Sequence, residues 1–338
     1  MIGSSALVEA EAGAGPKAAE PLLALENLAI DAVGRRGSMR LVEGVTLSLA
    51  RGEILGLVGE SGCGKSITAL SVLRLLPPPL AVTGGGMRFE GRDLRGLDDA
   101  AMRRLRGSRI AMIFQEPMTS LNPTFTVGWQ LAEALQLHGA VRGRAIAERA
   151  ADLLRRVGIA APERRLRQYP HEFSGGLRQR VMIAMALACD PALLIADEPT
   201  TALDVTIQRQ VLDLLARLRN ELGMGILLVT HDLGVVAEYT DRVTVMYAGR
   251  VVEQGRTAAL LARPRHPYTA GLLVARPRLY GPRGPLTAIP GVVPPPASRG
   301  AGCLFADRCP RALERCRTTA PPLAGAEPER VACWNPLT

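Results

Sequence analysis

Eight residues, Gly59-Glu60-Ser61-Gly62-Cys63-Gly64-Lys65-Ser66, constrain this chain more than any other stretch. They follow the apolar run Ile54-Leu55-Gly56-Leu57-Val58, the pattern of a buried strand. They open onto Ser66–Leu73, which reads as a helix ended by Pro77-Pro78-Pro79. Strand, glycine loop, Lys-Ser and helix together form a phosphate-binding loop. The glycines let backbone N–H groups wrap a polyphosphate without Cβ clashes. The helix N-terminus adds partial positive charge, Lys65 adds a full one, and Ser66 supplies a hydroxyl for Mg²⁺. A plain glycine-rich turn is the competing reading, but an eight-residue match in this strand-to-helix setting favours the phosphate loop.

The choice of cations sharpens this. Of 41 Lys and Arg residues only Lys17 and Lys65 are lysines, and Lys17 sits in an Ala/Gly/Glu-rich leader. A compact ammonium therefore stands where it fits between phosphate oxygens, and arginine serves elsewhere. The net charge of +9 is uneven: from Arg265 onward ten arginines face only Asp307, Glu314, Glu327 and Glu329. Such an excess suits nucleic acid, an anionic membrane surface, or no particular partner. No apolar run reaches the roughly 18 residues of a spanning helix. The N-terminus lacks a basic start followed by an apolar core, so no signal peptide is expected and the cysteines read as thiols or ligands.

In chain order, residues 1–20 are small and polar and are expected to be disordered. Leu22–Ile30 and Leu41–Leu49 read as strands, and Val82–Glu90 as a Gly84-Gly85-Gly86 turn with a short strand. Asp98–Arg106 reads as a helix, and Arg109–Phe114 as a strand ending at Gln115. Residues 127–169 read as helices broken at 139–143 and 158–162, and a further helix runs from the glycines at 175–176 to about Ala188. Ala192–Ala196 is an apolar strand ending in Asp197-Glu198, and Gly225–Thr230 another ending at His231. Between them Ile207–Leu222 is amphipathic at helical spacing and stops at Gly223. Val243–Met246 and Arg250–Glu253 flank Ala248-Gly249 as a hairpin. Strands alternating with helices predict an α/β fold, a parallel sheet with flanking helices and a ligand site at the C-terminal strand edge.

That edge collects the reactive side chains. Asp197 ends an apolar strand, so its carboxylate can reach Mg²⁺ beside Ser66, and Glu198 can polarise a water toward a γ-phosphate. Two adjacent carboxylates are a weak signal alone and a strong one downstream of a phosphate loop. His231 has the competing reading of a satisfied buried histidine. Its place in Thr230-His231-Asp232, after an apolar run at the same edge, favours a γ-phosphate contact.

These stretches resemble an ABC-type ATPase. The phosphate loop, Gln115, Phe173–Arg180, Leu193–Glu198, Ala202-Leu203-Asp204 and His231 are similar to its Walker A, Q-loop, signature, Walker B, D-loop and H-loop, in order and spacing over about residues 22–260. Gln115-Glu116-Pro117-Met118-Thr119-Ser120-Leu121-Asn122-Pro123, the signature Phe173-Ser174-Gly175-Gly176-Leu177-Arg178-Gln179-Arg180 and Arg265-His266-Pro267-Tyr268-Thr269 narrow it. They resemble the oligopeptide/dipeptide/nickel transporter ATP-binding family. The resemblance implies an ATPase domain over 21–263, with an antiparallel β subdomain and a helical subdomain at about 116–172, and a small C-terminal domain over 264–338. It implies ATP on the phosphate loop, Gln115 and Asp197, completed by Ser174, Gly175, Gly176, Gln179 and Asp204, with Mg²⁺ on Ser66, Gln115 and Asp197. Glu198, His231, Gln115 and Lys65 take the catalytic roles.

Ser174-Gly175-Gly176 is a second glycine-rich entry to a helix and offers N–H groups to phosphate. One chain cannot close both loops on one ATP across a helical subdomain. The family's answer is a head-to-tail dimer, in which each signature completes the partner's site. The implied partners are a second ABC ATPase, a paralogue in this family, two transmembrane permease subunits and an extracytoplasmic solute-binding protein. The chain would sit on the cytoplasmic face of the inner membrane and drive import of di- or oligopeptides or a similar small solute. An ABC ATPase acting on nucleic acid or the ribosome is the alternative. The gap of 58 residues between Gln115 and Ser174, too short for a coiled-coil arm, the single cassette and the absence of C-x-x-C pairs argue against it. One departure stands out: the adenine-stacking aromatic of the family falls near Ala32, and no Phe, Tyr or Trp occurs before Phe89.

The tail carries Cys303-x5-Cys309-x6-Cys316-x16-Cys333, while Cys63 and Cys189 lie in the ATPase region as packing residues. Four thiolates can hold zinc or an iron–sulfur cluster and staple a small domain. Paired C-x2–4-C spacings typical of zinc are absent. Similar tails in peptide-importer ATPases resemble [4Fe–4S] ligands, which ranks the cluster first, free thiols second and zinc third. Arg308, Arg311, Arg315 and Arg317 would offset a cluster's negative charge or form a solvated face.

Overall fold

The structure is a computed structural model that describes residues 20–35, 37–115, 120–138, 141–201, 203–275 and 288–338. The expected leader apart from Glu20, Arg36, residues 116–119 of the family-like stretch, residues 139–140 of the expected helix break, Ala202, and residues 276–287 lie outside the described residues.

The strands are β1 (Leu23–Gly34), β2 (Gly37–Leu49), β3 (Ile54–Val58), β4 (Leu80–Phe89), β5 (Arg92–Asp93) and β6 (Ile110–Ile113). They continue with β7 (Leu193–Asp197), β8 (Gly225–Thr230), β9 (Arg242–Tyr247), β10 (Arg250–Arg256) and β11 (Arg330–Val331). One sheet is antiparallel, in the order β2-β1-β4-β5, and the other runs β11-β10-β9-β3-β8-β7-β6. In the second, β6, β7, β8, β3 and β9 are parallel, and β10 and β11 add antiparallel.

Every residue of β3, β7 and β8 is buried. Covering on both faces is what their unbroken apolar runs require. On one face Ile226 and Leu228 join Leu131, Leu154, Val181 and Leu215 of the helices. On the other, Leu55 and Leu57 meet Leu25, Leu28 and Ile30 of β1 and Phe89 of β4. A third core gathers Val58, Tyr247, Tyr268 and Phe305, so the C-terminal region packs on the same sheet. Register then sets the active edge: Val58 pairs with Thr230, and Val229 with Asp197. The phosphate loop, Asp197-Glu198 and His231 leave neighbouring strands side by side.

Two local expectations are corrected. The loop helix spans Lys65–Val72 and is capped by Leu73, before the prolines, with Arg74 at φ 52°. Gly84-Gly85-Gly86 does not turn the chain but lies inside β4. Gly85 sits at φ 82°, where a Cβ would come within 2.4 Å of the Asn27 carbonyl oxygen. The β1–β4 register shifts at this point, so the glycines serve a bulge. Among the described residues no helix is long and apolar enough to cross a membrane.

Candidate functional site

The phosphate loop is shaped by contacts beneath it. Gly59 adopts φ 153°, and a Cβ there would lie 2.2 Å from the Met246 carbonyl oxygen, so glycine alone fits. Cys63 is fully buried under the loop and desolvation pushes its thiol pKa up, as expected of a packing residue. Lys65 is buried, and its Nζ donates to the carbonyls of Gly59 at 2.8 Å and Glu60 at 3.2 Å. The ammonium is thus folded onto its own loop.

Ser66 Oγ donates to Asp197 Oδ1 at 3.0 Å across 131 residues of sequence. Burial raises the Asp197 carboxyl, and its neighbour Glu198 adds to the rise. The Ser66 bond and the Lys65 charge oppose them without cancelling the shift. A hydroxyl and a destabilised carboxylate meeting at one point fit a hard divalent cation, whose charge would relieve Asp197.

Glu198 gathers the remaining candidates. Its Oε2 accepts from Gln115 Nε2 at 3.0 Å and from Thr201 Oγ1 at 2.9 Å, and His231 Nδ1 lies 3.1 Å from Oε1. Its backbone N–H donates to the Val229 carbonyl at 2.9 Å, and its φ is 46°, left-handed for a non-glycine residue. The carboxylate is sheltered, 14% exposed, while the His231 ring is 63% exposed. Burial raises this carboxyl, but the hydrogen bonds of His231 and Thr201 and the charges of His231 and Lys65 together hold it below the ordinary value. Thr201 escaped the sequence reading; its signal was a hydroxyl three residues beyond the Walker B glutamate.

The signature lies apart from this cluster. Ser174 and Gly175 are exposed, and Ser174 caps the helix Gly175–Ala186 by accepting from the Leu177 N–H at 3.4 Å. Gln179, expected beside them on nucleotide, is fully buried, and its Nε2 donates to the Pro199 carbonyl. It ties the signature helix to the segment after Glu198 and does not face solvent with Ser174. Asp204 is exposed and caps Val205–Leu222, accepting from the Ile207 N–H at 3.0 Å. Ala32 pairs with Met39 and Leu80 across β1, and Val33 and Met39 are the exposed apolar side chains nearby.

In the tail all four cysteines are free. Burial pushes the Cys303 thiol up to about 11, with further contributions from Cys316, Cys309 and Cys333. The four are therefore electrostatic neighbours, though among the described residues no three His, Cys, Asp or Glu side chains form a metal-holding group. Most of the arginines expected to face them are engaged elsewhere. Arg308 pairs with Glu60, Arg317 with Asp307, and Arg315 stacks 3.4 Å from the Trp334 ring centroid. Arg311 does act on the thiols, lowering Cys309 and Cys333 against the larger rise from burial.

Comparison with known proteins shows the family. A family model described as ABC transporter matches residues 42–201, and one described as the C-terminal region of oligopeptide/dipeptide transporters matches residues 252–316. The chain is 54% identical over 323 residues to "Probable peptide ABC transporter ATP-binding protein y4tR" of Sinorhizobium fredii, covering 95% of this chain and 96% of that one. It is 48% identical over 317 residues to the dipeptide transport ATP-binding protein DppD of Bacillus subtilis, covering 93% and 95%. Among solved structures it resembles the dimeric ATP-binding cassette MJ0796 in a post-hydrolysis state with ADP and Pi. The TM-score is 0.62 at 28% identity, over 70% of this chain and 98% of that one.

Proposed function

The chain belongs to the ABC transporter ATP-binding subunits of the oligopeptide/dipeptide type, and on that premise we propose how its residues couple ATP to import. It is the ATP-hydrolysing subunit of a peptide importer, working with membrane permease subunits. On our reading it binds the cytoplasmic side of two permeases as a peripheral subunit, pairs with a paralogous cassette, and answers to an extracytoplasmic solute-binding protein.

The observation that carries the mechanism is the convergence of Gln115, Thr201 and His231 on the Glu198 carboxylate beside the phosphate loop. Gly59–Ser66 would hold the triphosphate through backbone N–H groups, with Lys65 turning from its loop carbonyls to the phosphates. Ser66 and Asp197 would hold Mg²⁺, with Gln115 nearby, and the ion supplies charge neutralisation at the phosphates. Glu198, kept ionised, takes the proton of the attacking water. His231 and Gln115 hold that carboxylate and sense the γ-phosphate. Ser174, Gly175, Gly176 and Asp204 stand at the surface that meets the partner's nucleotide, with Gln179 supporting that helix from within.

The test is reconstitution of the full chain with permease subunits and a peptide-loaded binding protein. Turnover should rise with loaded binding protein, and Glu198→Gln should retain ATP binding while turnover and uptake fall by at least ~100-fold. Normal turnover in that variant would remove Glu198 from its role, and ATPase activity indifferent to permease and binding protein would remove the importer reading.

The finer reading of the tail is a [4Fe–4S] cluster on Cys303, Cys309, Cys316 and Cys333. The donor type and the number of thiols in one short segment support it. Among the described residues these side chains do not form a metal-holding group, and no step of the mechanism depends on a cluster. Anaerobically isolated chain should carry iron that Cys309→Ser loses; iron-free protein leaves free structural thiols.

A further inference from the structure

Glu60 is the acidic residue of the phosphate loop, and a carboxylate beside a triphosphate site repels what the loop is built to hold. Two contacts from the C-terminal region restrain it. The Glu60 backbone N–H donates to Tyr268 Oη at 2.9 Å. Its carboxylate receives a fork from Arg308, Nη1 to Oε2 at 2.8 Å and Nη2 to Oε1 at 3.1 Å.

Neither partner is a loose surface group. The Arg308 side chain is 7% exposed, its Nε donates to the Pro290 carbonyl at 2.8 Å, and its Nη1 reaches Tyr247 Oη at 3.3 Å. Its guanidinium lies over the rings of Tyr247 and Phe305, 5.6 and 5.9 Å from their centroids. Tyr268 is fully buried and meets Tyr247 and Phe305 edge-on. Two-point geometry on a sheltered, preorganised guanidinium makes this pair stronger than an exposed ion pair.

We propose that Arg308 and Tyr268 are positioning residues for ATP binding, holding the Glu60 carboxylate and backbone away from the triphosphate so that Lys65 and the loop N–H groups face it unopposed. The inference rests on the reading of Gly59–Ser66 as the ATP-binding loop. Without Arg308 the carboxylate is free to turn toward the Lys65 ammonium, competing with phosphate and repelling it. The effect falls on binding of ATP, because neither residue touches Glu198 or its partners. It also gives the C-terminal region a part in the nucleotide site.

The experiment measures Mg·ATP affinity by calorimetry and steady-state turnover on the full chain, with wild type and Lys65→Ala as references. Arg308→Ala should weaken ATP binding and raise KM about 10-fold with kcat little changed, as expected from loss of a charge-assisted pair. Arg308→Lys, which keeps the charge but loses the fork, should fall between. Adding Glu60→Gln to Arg308→Ala should restore most of the affinity, because the freed carboxylate is the cause. Tyr268→Phe, which removes one hydroxyl, should give a smaller loss of affinity. Wild-type affinity in Arg308→Ala, or a double variant weaker than Arg308→Ala alone, would overturn the proposal. If Arg308→Ala does not fold, unchanged affinity in both Arg308→Lys and Tyr268→Phe overturns it equally. Folded wild type that does not bind ATP would instead overturn the ATP reading.

Discussion

Glu198 occupies a backbone conformation that costs a non-glycine residue about 1–3 kcal/mol, and the end of β7 holds it there through the bond to Val229. The gain is a carboxylate that three side chains can reach at once. Burial alone would raise its pKa and leave it protonated more often; the contacts of His231 and Thr201 reverse the sign. A base with a lowered pKa stays ionised further into acid, so the acid limb of turnover is expected at low pH in the wild type. His231→Ala removes the lowering contact and leaves the burial, so the carboxyl titrates higher and the limb moves toward neutral pH. The pH profile of kcat/KM reads this directly, and a variant that loses rate with an unmoved limb would leave His231 with no hold on Glu198. Asp197 runs the other way. Its carboxyl is raised by burial, so it is the group that would gain from a cation, and the opposite shifts suit the proposed division of the two adjacent carboxylates into a metal holder and a base.

At the level of elements, the signature helix and the helix Val205–Leu222 cross at Gly176, where a Cβ would lie 2.8 Å from Ile207 Cγ2. Gly176→Ala would gain about 1 kcal/mol of helix propensity but overpack a branched side chain, which costs about 1–3 kcal/mol. The expected result is net destabilisation in denaturant unfolding, and a smaller loss in an Ile207→Ala background, where the contact is gone. Equal losses in both backgrounds would place the glycine's role outside this crossing. The sequence reading takes this glycine as phosphate-facing, but the crossing is not legible in it, because nothing in the spacing of Ser174–Arg180 says which helix lies behind it. The same limit explains other gaps. β3, β7 and β8 were legible because strands covered on both faces are apolar throughout. Gly84-Gly85-Gly86 was misread as a turn because a bulge and a turn ask the same residue for the same positive φ. The roles of Thr201, Tyr268 and Arg308 depend on packing, and Arg308 reaches Glu60 across 248 residues.

For the whole molecule, the arrangement turns on which chain's signature meets the phosphate loop. Glu198, Gln115, Thr201 and His231 gather beside it from one chain, while the exposed Ser174 and Gly175 begin a helix that the buried Gln179 ties down from behind. An exposed helix start that lies apart from the phosphate loop of its own chain suits exchange between two cassettes, and the solved cassette MJ0796 is a dimer. Head-to-tail pairing makes a separable prediction. Lys65→Ala damages the site built on this chain's loop, whereas Ser174→Arg places a bulky cation in the site built on the partner's loop. Carried together in this chain, the two changes strike both sites and turnover falls to background. With Ser174→Arg in this chain and the Walker lysine replaced in the partner, both lesions fall on one site and the other keeps working. If each signature served its own chain, the outcomes would exchange places: the first pairing would stay active and the second would be silent. Turnover of the two assembled pairs, measured side by side, decides between the arrangements whether the partner is a copy of this chain or a paralogue.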